Sequence, residues 1–207
     1  MKKLIFTFSI IVCALLSSCN NSNCEITYSS KSCVTLGNIE EWGAEIKSHE
    51  FNNGLGKITF NGKVTNVPES AFRDCTSLKS ITLPNSITSI GYYAFLGCEN
   101  LKTIKLPTNL KTIENCAFYK CTSLASITIP DSVTEIGWKA FYNCHWLGSV
   151  YCKATTPPTR GSNVFSEDDY RSKPIGCKIY VPRNSVEAYK SAEGWKEYAE
   201  DIVGYDF

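Results

Sequence analysis

A period of 23 residues runs through the middle of this 207-residue chain. Ala-Phe recurs at Ala71-Phe72, Ala94-Phe95, Ala117-Phe118 and Ala140-Phe141. Three residues beyond each Phe stands a Cys (Cys75, Cys98, Cys121, Cys144), and three beyond each Cys a Leu (Leu78, Leu101, Leu124, Leu147). Ile81, Ile104, Ile127 and Val150 follow at the same spacing and open short runs. Ile81-Thr82-Leu83, Ile104-Lys105-Leu106 and Ile127-Thr128-Ile129 alternate apolar and polar, the pattern of a strand with one buried face. Pro84, Pro107 and Pro130 close three of these runs, because proline lacks the N–H that would continue a ladder. Ile90, Ile113 and Ile136 hold a later interior position, with Val67 in the unit before. Self-similarity at this period is the signature of a solenoid or array.

One unit is too small to fold alone, because its few apolar side chains do not offset the entropy of ordering its backbone. Stacked copies share a core and pair their strands. A second short β-prone run follows each first strand (Ile87–Ile90, Val133–Ile136), and Gly91 or Gly137 then opens a turn. The segment around Ala-Phe leaves room for no more than a turn or two of helix.

The combination "AF…C…L..I.LP" in 23-residue units resembles the BspA-like leucine-rich-repeat family of bacterial surface proteins, from about Ile58 to Val181. The resemblance implies an α/β, β-rich fold: a leucine-rich-repeat solenoid with N- and C-terminal caps. It also implies a binding role, since relatives are described as adhesins for host matrix proteins.

Residues 1–18 read as a lipoprotein signal peptide. Lys2 and Lys3 precede an apolar run from Leu4 to Leu16, too short to span a membrane comfortably. Leu16-Ser17-Ser18-Cys19 resembles a bacterial lipobox, which implies that Cys19 takes the lipid anchor, with 19–24 as a polar tether. Family members often carry an acidic cluster just after that Cys to direct surface export; Asn20-Asn21-Ser22-Asn23 is not one, which leaves the membrane face open. Loss of Lys2 and Lys3 takes Lys+Arg from 21 to 19 against 20 acidic residues, a net charge of −1. With no basic run, nucleic acid and anionic lipid surfaces are poor partners, and the membrane is met through the anchor alone.

Residues 25–57 lack the period and read as an N-terminal cap. Glu25–Tyr28 and Cys33–Leu36 are expected as strands, Trp42, Ile46 and Phe51 as apolar cover, and Asn52-Asn53-Gly54 as a turn. The solenoid is assigned to 58–182, broken by an insertion at 154–176 that carries Pro157-Pro158, Pro174 and Glu167-Asp168-Asp169. That acidic run lacks the spaced ligands of an EF-hand and reads as a solvated loop. Lys178–Pro182 is expected as the last strand. Residues 183–207 form the second cap, with a helix capped by Asn184 and Glu187 and ended by Gly194.

The chain has eleven cysteines. Cys75, Cys98, Cys121 and Cys144 occupy one interior slot and act as small buried apolar groups. Cys152 and Cys177 fall too far apart along adjacent strands to bridge. Cys24 and Cys33 could close an N-terminal hairpin or stay reduced; the sequence leaves both open. No CxxC, P-loop, dinucleotide-binding glycine pattern or HExxH is present, and the two histidines, His49 and His145, stand in no motif. No metal, cofactor or catalytic residue is therefore assigned, and the chain reads as a non-enzyme.

Between the inward apolar residues of each first strand, one side chain points out: Thr59, Thr82, Lys105, Thr128, Tyr151 and Tyr180. Lys57, Ser80, Thr103, Ser126 and Ser149 precede them. Stacked about 4.8 Å apart, they make a candidate binding strip that turns aromatic towards its C-terminal end. Thr and Tyr favour strands whatever they face, so a plain surface stands beside the functional reading. Two functions follow. One is a lipid-anchored protein of the outer membrane or cell surface that binds an extracellular protein or glycan, in adhesion or host interaction. The other is an accessory lipoprotein that scaffolds envelope proteins.

Overall fold

The computed structural model describes residues 24–166 and 176–207. The signal peptide, Cys19, the polar residues after it and the acidic run from Glu167 lie outside the described residues. The chain opens with β1 (Glu25–Ser30), β2 (Ile46–Asn52) and β3 (Leu55–Phe60). Strands then alternate between two ladders. One takes β5 (Leu78–Thr82), β7 (Thr103–Lys105), β9 (Ser126–Ile129), β11 (Ser149–Cys152) and β13 (Lys178–Pro182). The other takes the two-residue strands β4 (Asn66–Val67), β6 (Ser89–Ile90), β8 (Thr112–Ile113), β10 (Glu135–Ile136) and β12 (Thr159–Arg160). A short helix α1 (Val186–Ser191) and a final strand β14 (Ile202–Tyr205) complete it.

Coils stack in register with the period. Ile81 pairs with Ile104, Ile127 with Val150, and Val150 with Ile179. In the second ladder Val67, Ile90, Ile113 and Ile136 line up in parallel. The Ala-Phe turns form the third side, where Phe72, Phe95 and Phe118 each donate a backbone N–H to the Ala carbonyl of the next coil at 2.7 Å. Their rings are fully buried in a column with Phe141 and Phe165, with centroids 5.0 to 5.6 Å apart. The coil rise sets that spacing and brings the rings into stacking range. Trp42 closes the column edge-on against Phe72, and Tyr198 and Trp195 close it at Phe165.

Each repeating Cys is buried, as its slot requires, and it also donates. The thiols of Cys98, Cys121 and Cys144 point at the carbonyls of Phe72, Phe95 and Phe118, one coil back, at 3.0 to 3.2 Å. Cys75 finds the Thr35 carbonyl of the cap in the same role, at 3.4 Å. The corners are tight. Ser70, Tyr93, Cys116 and Lys139 form one column with φ of 52 to 56°, and Asp74, Gly97, Lys120 and Asn143 another with φ of 54 to 71°. Gly137 permits close coil contact, since a Cβ there would sit 2.4 Å from the Asn115 backbone nitrogen.

Several expectations need correction. β1 inserts antiparallel between β3 and β5, pairing Glu25 with Thr59 and Thr27 with Thr82. Residues 33–36 form no strand; Cys33 keeps a free thiol, so no Cys24–Cys33 bridge exists. The stretch assigned to an insertion at 154–176 continues the coil as far as Ser166: β12 pairs with β10, and Phe165 enters the Phe column. Cys152 and Cys177 are buried and form no disulfide. β13 is not the last strand, because β14 lies parallel beside it with Ile179 opposite Ile202. Helix α1 starts after Ser185, whose side chain makes no capping bond, and ends at Ser191 rather than Gly194. Among the described residues no helix is long and apolar enough to cross a membrane.

Candidate functional site

The outward positions of the first ladder do not form one strip. Thr59 and Thr82 are separated by β1, and the ladder breaks again between β7 and β9, which belong to different sheets. Thr82 lines a cleft of about 590 Å³ over β1 and β3. Its aromatic side chain, Tyr28, is only 3% exposed.

The break between β7 and β9 makes a second opening. Ile104 and Leu106 remain 9% and 6% exposed, where the equivalent Ile127 and Ile129 fall to 1%. They floor a cleft of about 470 Å³ with Pro130 below and Lys105, Thr108, Thr128, Asp131 and Lys153 around it. Thr128 and Lys153 also line a neighbouring cleft of about 340 Å³, walled by Tyr151, Tyr205, Asp206 and Phe207. The two clefts therefore form one groove.

Its aromatic wall follows from register. Tyr151 and Tyr180 face each other across β11 and β13, and their rings stack 4.7 Å apart at 14°. Pro182 pairs with Tyr205, which brings that ring edge-on to Tyr151 and Tyr180 at 5.4 and 5.6 Å. Phe207 packs edge-on to Tyr205 at 5.1 Å and to Tyr151 at 6.5 Å, with the Lys153 ammonium 5.6 Å from its centroid. Arg183 holds the tail by pairing with Asp206 at 2.9 Å, an exposed contact that orients more than it stabilises. Tyr205 and Phe207 are 42% and 50% exposed, large apolar faces that folding leaves uncovered.

Of the predicted strip, Lys105, Thr128 and Tyr151 line this groove; Tyr180 stands behind it, stacked on Tyr151, and Thr59 and Thr82 lie away from it. Sequence reasoning missed Tyr205, Phe207 and Lys153. For Tyr205 the signal was present: Ile202 stands one period after Ile179, so the repeat continues through the assigned cap. A second aromatic surface lies along the turns, where Tyr119 stacks on Tyr142 and Lys139 sits 4.2 Å from the Tyr142 ring and 4.8 Å from the Trp138 ring. The groove can bury a ring or apolar side chain against its floor and wall while two ammonium groups and two carboxylates hydrogen-bond around it.

Stacked coils, two parallel ladders, a buried Phe column and aromatic end-closures define a capped repeat solenoid. The sequence profile of the BspA type leucine-rich repeat region matches residues 44–170 in six copies, and the chain belongs to that family. No curated protein sequence matches it. Among solved structures, it resembles a leucine-rich-repeat protein of T. pallidum, with 29% identity over 70% of this chain and 63% of that one, at a TM-score of 0.52. The pneumococcal vaccine antigen PcpA shares the fold, with 23% identity over 70% of this chain and 40% of that one, at a TM-score of 0.51. The matched region thus spans less than two thirds of either relative's length.

Proposed function

We propose that the protein is a non-catalytic cell-envelope lipoprotein, held by Cys19 and displayed at the cell surface, that binds an extracellular protein or glycan through the aromatic groove. The observation that carries this reading is the exposed corner of Tyr205 and Phe207 above a partly uncovered apolar floor. Exposed aromatics with neighbouring cations are the groups that anchor interfaces. Family membership supports a repeat-built binding surface, and the lipobox-like Leu16-Ser17-Ser18-Cys19 supports the anchor.

The scaffold reading also rests on an observation. β14 ends the sheet order, leaving an edge strand that can accept a strand from another envelope protein. Protease shaving of intact cells separates the two: a displayed binder is lost from the surface, and a protein on the inner face is spared. In the same strain, Cys19→Ala should abolish incorporation of labelled palmitate. Unchanged labelling would remove the anchor from this account.

A further inference from the structure

Eight cysteines among the described residues are outside any disulfide, and of these only Cys33 is exposed. Burial pushes the Cys75 thiol up to about 11 and that of Cys144 to about 12, and it raises those of Cys98, Cys121 and Cys152 as well. Those thiols are enclosed and protonated. Cys33 differs in its neighbours too.

Its sulfur lies 3.5 Å from His49 Nε2 on β2 and 3.6 Å from the Tyr28 hydroxyl on β1. That hydroxyl is 2.8 Å from the same His49 nitrogen, so three elements close three polar atoms into a triangle. The triangle is braced from behind. Tyr28 stacks on Phe51 with centroids 6.1 Å apart, its ring meets His49 edge-on at 5.8 Å, and the Val34 N–H donates to its hydroxyl at 3.4 Å. Burial lowers the His49 pKa, which keeps the imidazole neutral and able to accept a proton near pH 7. Burial, followed by the contact with Cys33, raises that of Tyr28, which stays protonated and able to donate. Cys75, from the first repeat turn, is the further titratable group that acts on Tyr28.

We propose that Cys33 is a thiol–disulfide exchange site, with His49 as its base, Tyr28 as hydrogen-bond donor to the thiolate, and a small accessible disulfide as co-substrate. His49 Nε2 takes the proton from Cys33. The thiolate, holding the Tyr28 O–H, attacks one sulfur of the disulfide R–S–S–R. A Cys33–S–S–R bond forms, the S–S bond of the co-substrate breaks, and the leaving R–S⁻ takes the proton from the imidazolium. No net oxidation of the system is required, since the disulfide is the oxidant and its released half is the reduced product. The groove takes no part.

The test uses the full chain with DTNB and with cystine, mapping the modified residue by mass spectrometry of the native protein. Cys33 should react first. Its rate should rise as His49 loses its proton, level off near neutrality, and rise again as the thiol ionises. His49→Gln should remove the first rise and slow the reaction at pH 7 by about tenfold or more, while Tyr28→Phe, which keeps the ring and its stacking, should slow it less. A single rise at the ordinary thiol value in the unaltered protein, or an unchanged rate in a folded His49→Gln variant, would overturn the proposal. So would failure of either disulfide to modify Cys33. The pH profile of the unaltered protein decides the matter even if a variant fails to fold.

Discussion

Phe118 and Cys121 show what each residue of the repeat contributes. Phe118 is fully buried between Phe95 and Phe141, with centroids 5.1 and 5.0 Å away. Its replacement by Ala should cost about 3–5 kcal/mol, as for other buried large-to-small changes. Denaturant unfolding measures this, and a loss below about 1 kcal/mol would mean that the column does not bear on stability. The place of Phe118 was legible, because a slot that recurs as Phe at fixed spacing must face inward. The full role of Cys121 was not. Spacing marks it as small and buried, but its thiol reaches the Phe95 carbonyl at 3.2 Å only because coils stack at the strand separation. Cys116 was overlooked altogether; it is buried at a left-handed corner outside the repeating Cys slot.

Elements were legible where the period is strict and obscure where it slips. Strands at Ile81, Ile104, Ile127 and Val150 fall where alternation puts them. β12 escaped notice because its coil is one residue longer, with Ile136 opposite Arg160, and that slip hides Val164-Phe165 as an Ala-Phe equivalent. The insertion of β1 between β3 and β5 depends on distant partner choice, which local pattern does not encode. The corner columns carry a cost of their own, since a non-glycine residue at positive φ is strained by about 1–2 kcal/mol. Gly97 already relieves one position of the second column. Lys120→Gly, at φ 60° and exposed, should therefore stabilise the fold by about 0.5–1 kcal/mol after the greater freedom of unfolded glycine is counted. A lower unfolding midpoint would contradict that reading of the corner. In the N-terminal cap, the lowered His49 pKa means protonation disfavours the folded state. That contribution is present above the unfolded value near 6.5 and is lost as pH falls through the folded one. Unfolding curves at pH 7.5 and 5 should separate less in His49→Gln than in the unaltered protein.

At the scale of the whole molecule, each end of an open solenoid must be closed. Trp42 covers the first coil, while Trp195, bonded to the Pro158 carbonyl at 2.8 Å, and Tyr189, bonded to that of Ala154 at 2.9 Å, cover the last. The buried Arg160 side chain locks that cover on, lying 4.7 Å from Tyr198 and pairing with Glu197 and the Gly194 carbonyl. Closure of this kind carries β14 round to the ladder and brings Tyr205 and Phe207 to the groove. Cap and site are thus one construction, which explains why a reading that assigned 183–207 to capping alone left half of the aromatic wall unseen. The central claim is that this groove binds. Its most direct measurement is the affinity of the purified chain for matrix proteins and glycans in a binding panel. Whichever probe binds is then titrated against Tyr205→Ala, Lys105→Ala and a chain lacking residues 167–175. Tyr205→Ala should weaken binding by about 2 kcal/mol, roughly thirtyfold, as expected for an aromatic anchor, with thermal unfolding unmoved and the deletion of 167–175 silent. Full affinity in both groove variants, with loss on deleting 167–175, would contradict the claim.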